Sequence, residues 1–289
     1  MTSEWLAEDK LNGDVPWDAF DPKEYIKRNY LEIQPVDREI LVRVRDHFRD
    51  HFRDHSAARG DGGPRGAVPE AGAPGSGGRG RGAETVGIDV GAGPNLYPAL
   101  AMLPWCDRIT LLERSARNLD YLRGQLPGYD ANWDQFWEVL KSGEDGAGAA
   151  YTALDADPRD RLRRAVGEPV SGSLFDLRDR GPAWDLGTMF FVAESITTSL
   201  EEFRRGVGCF MNALKPGAPF AAAFMEHSEG YRVGSQEFPA RDIDEEEVRN
   251  VLDPYAAAGM EVALMDNPQQ LVRHGYTGMI LACGRRRTT

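Results

Sequence analysis

The residues best placed for chemistry are two carboxylates around a pair of glycines. Ile88-Asp89-Val90-Gly91-Ala92-Gly93-Pro94-Asn95 closes an apolar run with Gly-x-Gly, and Glu113 closes the next apolar run about twenty residues further on. Glycines at that point let the backbone approach a ligand closely, and the helix start beyond them offers free amides. A carboxylate at the end of the second strand is where such a sheet accepts both hydroxyls of a ribose. Two phosphate-binding readings fail on single residues. The dinucleotide fingerprint requires a third glycine where Leu96 stands, and the phosphate loop requires a Gly-Lys-Ser/Thr that the chain lacks. His47, His51 and His55 recur at a spacing of four within the repeated Arg-Asp-His-Phe, which places them near one helical face. No further ligand is placed to close a metal shell, so a solvated helix end is the expectation and no metal is predicted. Cys106, Cys209 and Cys283 have neither disulfide nor zinc spacing.

Positioning those residues requires strands alternating with helices. Apolar runs predict seven strands, at Thr85–Val90, Arg108–Glu113, Val170–Phe175, Trp184–Phe191, Pro219–Met225, Met260–Met265 and Tyr276–Cys283. Spaced apolar residues predict helices over Tyr97–Leu103, Ala116–Leu126, Leu200–Leu214 and Glu245–Ala258. The fold class is therefore α/β, a Rossmann-like, mostly parallel seven-stranded sheet. Only Asp266–Gly275 separates the last two strands, too short for a crossover helix, so they are expected to pair antiparallel. Residues 56–82 hold ten glycines and three prolines and cannot bury enough surface to offset ordering. They divide an N-terminal helical segment, 1–55, from the main domain, 83–289.

Charge and composition narrow the partners. The 289 residues carry a formal charge of −12, which repels phosphate backbones and anionic membranes, so neither nucleic acid nor membrane is an expected partner. No apolar run approaches the roughly 20 residues a bilayer crossing needs. The acidic start, Met1 to Asp14, lacks a secretion signal, and a cytoplasmic location is expected. Nothing in the sequence fixes an oligomeric state. Arginine outnumbers lysine 29 to 5, a coding bias associated with GC-rich bacteria and with specialised, natural-product metabolism.

An acidic residue before Gly-x-Gly, with no pyrophosphate to cradle, fits the adenosylmethionine loop of class I methyltransferases. Glu24-Tyr25-Ile26-Lys27-Arg28-Asn29-Tyr30, Ile88 to Tyr97, and Glu113 followed by Asn118 resemble the nicotinamide, phenylethanolamine and thioether or indolethylamine N-methyltransferases. Trp133–Leu140, Leu162–Leu177, Phe190-Phe191-Val192-Ala193-Glu194-Ser195 and Ala213-Leu214-Lys215-Pro216-Gly217 extend the resemblance over most of the chain. It implies an N-terminal helical lid, with Tyr25 and Tyr30 matching its first and last tyrosines and Asn29 replacing the middle one. It also implies S-adenosyl-L-methionine as cofactor, lined by Tyr25, Tyr30, Gly91, Gly93, Tyr97, Glu113, Asn118, Asp176 and Leu177. Asp176 would then accept from the adenine amino group.

On the substrate side, Glu194 resembles the acidic residue that holds the amine in the phenylethanolamine branch, which makes it the candidate catalytic carboxylate. Glu226, His227 and Tyr231 fall where family members place substrate contacts, while Phe224 takes a position that is acidic in some relatives. The implied activity is methyl transfer to a small molecule, first to an amine or heteroaromatic nitrogen, which needs only an exposed lone pair. Carbon methylation of an indole-type natural product is the alternative, since Trp133, Trp137, Phe190, Phe191 and Phe238 suit an aryl amine or an indole equally. A non-catalytic adenosylmethionine-binding protein on the same fold is the third reading.

Overall fold

The computed structural model describes residues 9–59, 84–144, 146–154, 156–266 and 275–288. From residue 60 onward the Gly-rich stretch lies outside them, as does most of the connection between the last two strands. Seven strands form one sheet: β1 (Val86–Val90), β2 (Arg108–Glu113), β3 (Val170–Ser171), β4 (Leu186–Phe190), β5 (Pro219–Met225), β8 (Glu261–Asp266) and β9 (Gly278–Arg285). A separate hairpin, β6 (Tyr231–Val233) and β7 (Gln236–Phe238), lies between β5 and β8 in the chain. The main sheet runs β3-β2-β1-β4-β5-β9-β8, with β1 parallel to both β2 and β4, and β9 antiparallel to β5 and β8. Strand order reverses at β1, between β2 and β4. In open α/β sheets a ligand crevice forms outside the carboxyl ends of the strands at such a point, and Gly91 and Gly93 follow β1 there.

The described α-helices are α1 (Pro22–Asn29), α2 (Pro35–Arg59), α3 (Tyr97–Met102), α4 (Ala116–Gln125), α5 (Asp134–Lys141), α6 (Ala149–Thr152), α7 (Pro158–Val166), α8 (Leu200–Ala213) and α9 (Glu245–Leu252). Their starts follow capping chemistry. Asp21 accepts from the amides of Lys23 and Glu24 with Pro22 at the first helical position, and Ser115 accepts from Asn118 N. One core beneath the sheet joins Ile26, Tyr30, Ile40, Leu41, Val44 and Phe48 of the N-terminal helices to Trp133, Phe136 and Leu140 of the body. The opposite face packs on α8 and α9 through Phe203, Phe210, Val248 and Leu252. The N-terminal segment is thus built into the main core.

Several elements depart from the sequence expectation. The third strand is short because Ser173 and Asp176 form a capping box that turns Leu174–Asp179 into a 3-10 helix where Val170–Phe175 was expected to stay extended. Helix α2 continues to Arg59, past the break expected at Ser56, carried by the Arg-Asp repeat. Its ion pairs run Arg45–Asp46, Asp46–Arg49, Arg49–Asp50 and Asp50–Arg53. The aromatic half of the repeat packs inward, with Phe48 in the core and Phe52 stacked on Trp105 at 5.1 Å. His47 Nε2 meets the Gly284 carbonyl at 3.1 Å, and burial lowers its pKa. Among the described residues no group of His, Cys, Asp and Glu is placed to hold a metal, and no helix is long and apolar enough to cross a membrane.

Candidate functional site

The two glycines after β1 are held open for different reasons. Gly91 has φ +64°, and a Cβ there would lie 2.6 Å from Val192 Cγ1. Gly93 has φ +57°, and its missing Cβ would meet nothing nearer than 3.8 Å, so it faces open space. Both angles favour glycine. Across the crevice Phe191, directly after β4, also holds positive φ, at 60°. A non-glycine residue in that region is strained and persists only where its surroundings fix it, as at binding sites.

Glu113 holds the glycine loop in shape. Its Oε2 accepts from Gly93 N at 2.8 Å, and its Oε1 accepts from Ser115 N at 2.6 Å and Asn118 Nδ2 at 3.4 Å. The expected contact with both ribose hydroxyls changes here. The carboxylate is buried, and with Oε1 already taking two donors the remaining lone pair is on Oε2, enough for one ribose hydroxyl while the loop bond stays. Burial raises the Glu113 pKa, and the amides of Ser115 and Gly93 oppose that rise. Beside it Asn118 is 4% exposed and its Oδ1 has no hydrogen-bond partner. An orphaned acceptor on a cavity wall suits a ligand hydroxyl or amino group.

That wall belongs to a cavity that is open to solvent at its mouth. Gly91, Gly93, Glu113 and Asn118 line one end with Asn95, while Phe190, Phe191, Ser195, Trp17, Phe20, Tyr25 and Tyr231 line the rest. Residues 9–21 run along it as a strap that contributes Asn12, Trp17 and Phe20 to its wall. Lys10 bonds to Thr198 through its amide at 2.8 Å, Asn12 N donates to Glu202 at 2.8 Å, Asp18 accepts from Ala116 N at 2.8 Å, and Asp21 pairs with Arg117 at 3.1 Å. Phe238 stacks between Trp17 (5.5 Å) and Tyr231 (5.3 Å), fastening the strap to the β6–β7 hairpin. Among the described residues that line the cavity, only Glu113 and Arg114 carry charge.

The predicted residues divide. Tyr25, Tyr30, Gly91, Gly93, Glu113, Asn118 and Tyr231 come together on the cavity. Tyr97 is fully buried behind the wall, stacked on Phe136 at 5.3 Å and bonded to Asp37 of α2 at 3.3 Å. Leu177 belongs to the core under α8, and Leu174 takes the wall position instead. Asp176 accepts from Ser173 N at 2.7 Å and lines an adjoining cavity that shares Asn12, Arg114, Gly172 and Ser173 with the first. Glu194 does not line the cavity. It is wholly buried, and its Oε1 accepts from Met225 N at 3.1 Å and Ser195 Oγ at 3.0 Å. Glu226 is buried behind β9 and bonded to Thr277, and exposed His227 pairs with Asp242 at 2.8 Å, which raises its pKa. Neither lines the cavity, because the chain turns outward after β5, where His227 has φ +52°. Asn29 turns back on its own helix, donating to the Tyr25 carbonyl at 2.8 Å.

The residues missed from sequence are Trp17, Phe20, Asn95 and the hairpin. Tyr231-Arg232-Val233-Gly234-Ser235-Gln236-Glu237-Phe238 carries a signal for the last of these, two short runs around Gly-Ser.

A family model of the NNMT/PNMT/TEMT family matches residues 78–287, which hold the glycine loop, Glu113, Asn118 and every strand of the sheet. The chain belongs to the NNMT/PNMT/TEMT family. It is a methyltransferase that uses S-adenosyl-L-methionine, and the cavity fits that group: a cradle at Gly91 and Gly93, a carboxylate with one free lone pair, and an orphaned amide oxygen. Solved structures similar to the chain include a SAM-dependent methyltransferase from Methanosarcina mazei, at TM-score 0.46 and 12% identity over 71% of this chain and 92% of that one. N-methyltransferase NodS from Bradyrhizobium japonicum WM9, in complex with S-adenosyl-l-homocysteine, has TM-score 0.44 and 11% identity over 89% and 90%. CalS10, an amino pentose methyltransferase from Micromonospora echinaspora, has TM-score 0.39 and 16% identity over 70% and 84%.

Burial of Asp37 of α2, where it meets Tyr97 of the helix after the glycine loop, makes stability depend on pH. Burial pushes the Asp37 carboxyl up to about 7, opposed by the hydrogen bonds from Tyr97 and the Gln34 amide. Asp89 is likewise pushed up to about 8 by burial, although Thr188 donates to it at 2.7 Å. A carboxyl whose folded pKa is raised keeps its proton in the folded state after the unfolded chain has lost its own. Its contribution is complete below about pH 4 and is lost as pH rises toward about 7 or 8. Thermal melts from about pH 5 to about pH 8 are therefore expected to fall more steeply for wild type than for Asp37→Asn. Parallel curves would place Asp37 in an unperturbed environment.

Proposed function

We propose that this enzyme methylates nitrogen on a small, flat acceptor, an amine or a nitrogen heteroaromatic, held between the strap and the β6–β7 hairpin. The aromatic wall of Trp17, Phe20, Tyr25, Phe191 and Tyr231 carries this reading. Such faces take up a planar ring and favour the cationic nitrogen that forms on methyl transfer. Nitrogen requires only an exposed lone pair, whereas a ring carbon also requires a base for its ring proton. Gly91, Gly93, Glu113 and Asn118 hold the cofactor in this reading. Tyr25 and Tyr30 close over it, Asp176 reaches the adenine end from the adjoining cavity, and Tyr97 and Leu177 support the wall from behind. Bound there, the cofactor supplies the sulfonium methyl, and the protein supplies alignment and exclusion of water. A role in specialised metabolism accords with the arginine-rich composition.

A panel of phenethylamine, aniline, tryptamine and quinoline, incubated with adenosylmethionine and read by product mass, tests the acceptor class. The expected result is a singly methylated product from at least one of them. Catechol and thiophenol run beside them supply oxygen and thiol acceptors, and turnover of these alone would refute it. Trp17→Ala is expected to raise the KM for that acceptor more than it weakens cofactor binding, since the indole closes the acceptor end. Equal effects on both would move Trp17 out of the acceptor wall.

A further inference from the structure

We propose that Phe238 sets how long an acceptor the cavity takes, because its ring fills a slot between Trp17 and Tyr231 that the far end of a longer flat acceptor would otherwise enter. This specificity role rests on the reading above only in placing the acceptor between strap and hairpin. Phe238 is 3% exposed and stands behind the cavity wall, while the three rings against it, Trp17, Phe20 and Tyr231, all line the cavity. Trp17 and Tyr231 lie on either side of it, with centroids 5.5 and 5.3 Å away and each ring 22° from parallel to it. Phe20 closes a third side at 5.3 Å, tilted by 55°. The hairpin register produces this arrangement. Tyr231 and Phe238 are directly opposed in the antiparallel pair, so their side chains stand together on one face, and the strap brings Trp17 to the other side of the Phe238 ring.

Phe20, Val233 and Phe238 form a small apolar cluster of their own, apart from the two cores on the faces of the sheet. The place of the wall where strap meets hairpin therefore depends on the Phe238 ring. Truncating a buried aromatic leaves a cavity, since the surroundings relax only in part. Here the space left has the faces of Trp17 and Tyr231 on two sides, and such faces favour an offset-stacked ring between them. An apolar cavity of that kind accepts a flat apolar guest. In the native protein Phe238 is itself that guest, and the rings of an acceptor end at the wall.

Quinoline and 1-azaanthracene test it, since they share the nitrogen ring and differ by one further ring at the far end. Calorimetry on the full chain saturated with S-adenosylhomocysteine reads their binding without methyl transfer. Phe238→Ala is expected to bind 1-azaanthracene roughly tenfold or more tightly than wild type does, with quinoline affinity changed by less than about threefold and S-adenosylhomocysteine affinity retained. Phe238→Leu should show a smaller gain of the same kind, and it carries the test if Phe238→Ala fails to fold. Equal changes for the two ligands would mean that the wall has loosened as a whole, and they overturn the proposal. So does a lack of measurable 1-azaanthracene binding to the folded variant, or a wild type that already takes 1-azaanthracene as well as quinoline. Quinoline that binds and is never methylated counts against the nitrogen reading alone and leaves the size limit at Phe238 standing.

Discussion

Gly91→Ala is expected to cost the protein its fold margin, and Gly93→Ala is expected to cost it the cofactor. Both residues have positive φ, where a side chain costs roughly 1–2 kcal/mol. At Gly91 the new methyl would also sit 2.6 Å from Val192 Cγ1 and 2.7 Å from Cγ2, with β1 and β4 fixed on either side. Overpacking of that kind adds about 1–3 kcal/mol, a large part of an ordinary domain's stability. A drop in Tm of many degrees, with much of the protein insoluble, is the expected outcome. At Gly93 the methyl enters open space, so only the φ cost applies to the fold, and the methyl instead takes up room on the wall of the cavity that Gly93 lines. Adenosylmethionine affinity should fall by more than tenfold while the Tm falls by a few degrees. The reverse ranking of the two variants in paired melts and titrations would contradict this account of the loop.

The second large effect is expected at Glu113. Its carboxylate orders the loop through Gly93 N and Ser115 N and keeps one lone pair for the ligand, so Glu113→Ala removes both functions. Hydrogen bonds to charged groups are worth about 1.5–3 kcal/mol each, which predicts at least a tenfold loss of adenosylmethionine affinity together with a lower Tm. Glu113→Gln should be nearly as damaging, because its NH₂ would face a backbone amide donor where an acceptor is required. Calorimetry returning wild-type affinity for either variant would take Glu113 out of the site.

The strands and the antiparallel pairing of the last two were legible because buried parallel strands are continuous apolar runs and the short gap after β8 excludes a crossover. The glycine-loop end of the cavity was legible for a related reason. Gly91, Gly93 and Glu113 are fixed by backbone geometry, and backbone geometry leaves a local spacing in the sequence. The other end of the cavity is assembled from distant pieces, Trp17 and Phe20 of the strap, Tyr231 of a hairpin and Ser195 after β4, and no local spacing joins them. Glu194 illustrates the difference. Its position at the end of β4 suggested the acceptor side, but its rotation onto Met225 N depends on where β5 ends, which one segment's residues do not encode. The third strand was overextended because Ser173 and Asp176 read as strand positions until their reciprocal cap is seen.

Methyl transfer to nitrogen is the reading on which the acceptor site stands or falls. Tryptamine deuterated at every indole ring carbon, incubated with the enzyme and ¹³C-methyl adenosylmethionine, carries both acceptor types in one molecule. Mass and carbon spectra of the product then locate the methyl. A labelled N-methyl group with full retention of ring deuterium is the predicted result. A methyl on an indole carbon, with one deuterium lost for each methyl gained, would contradict it.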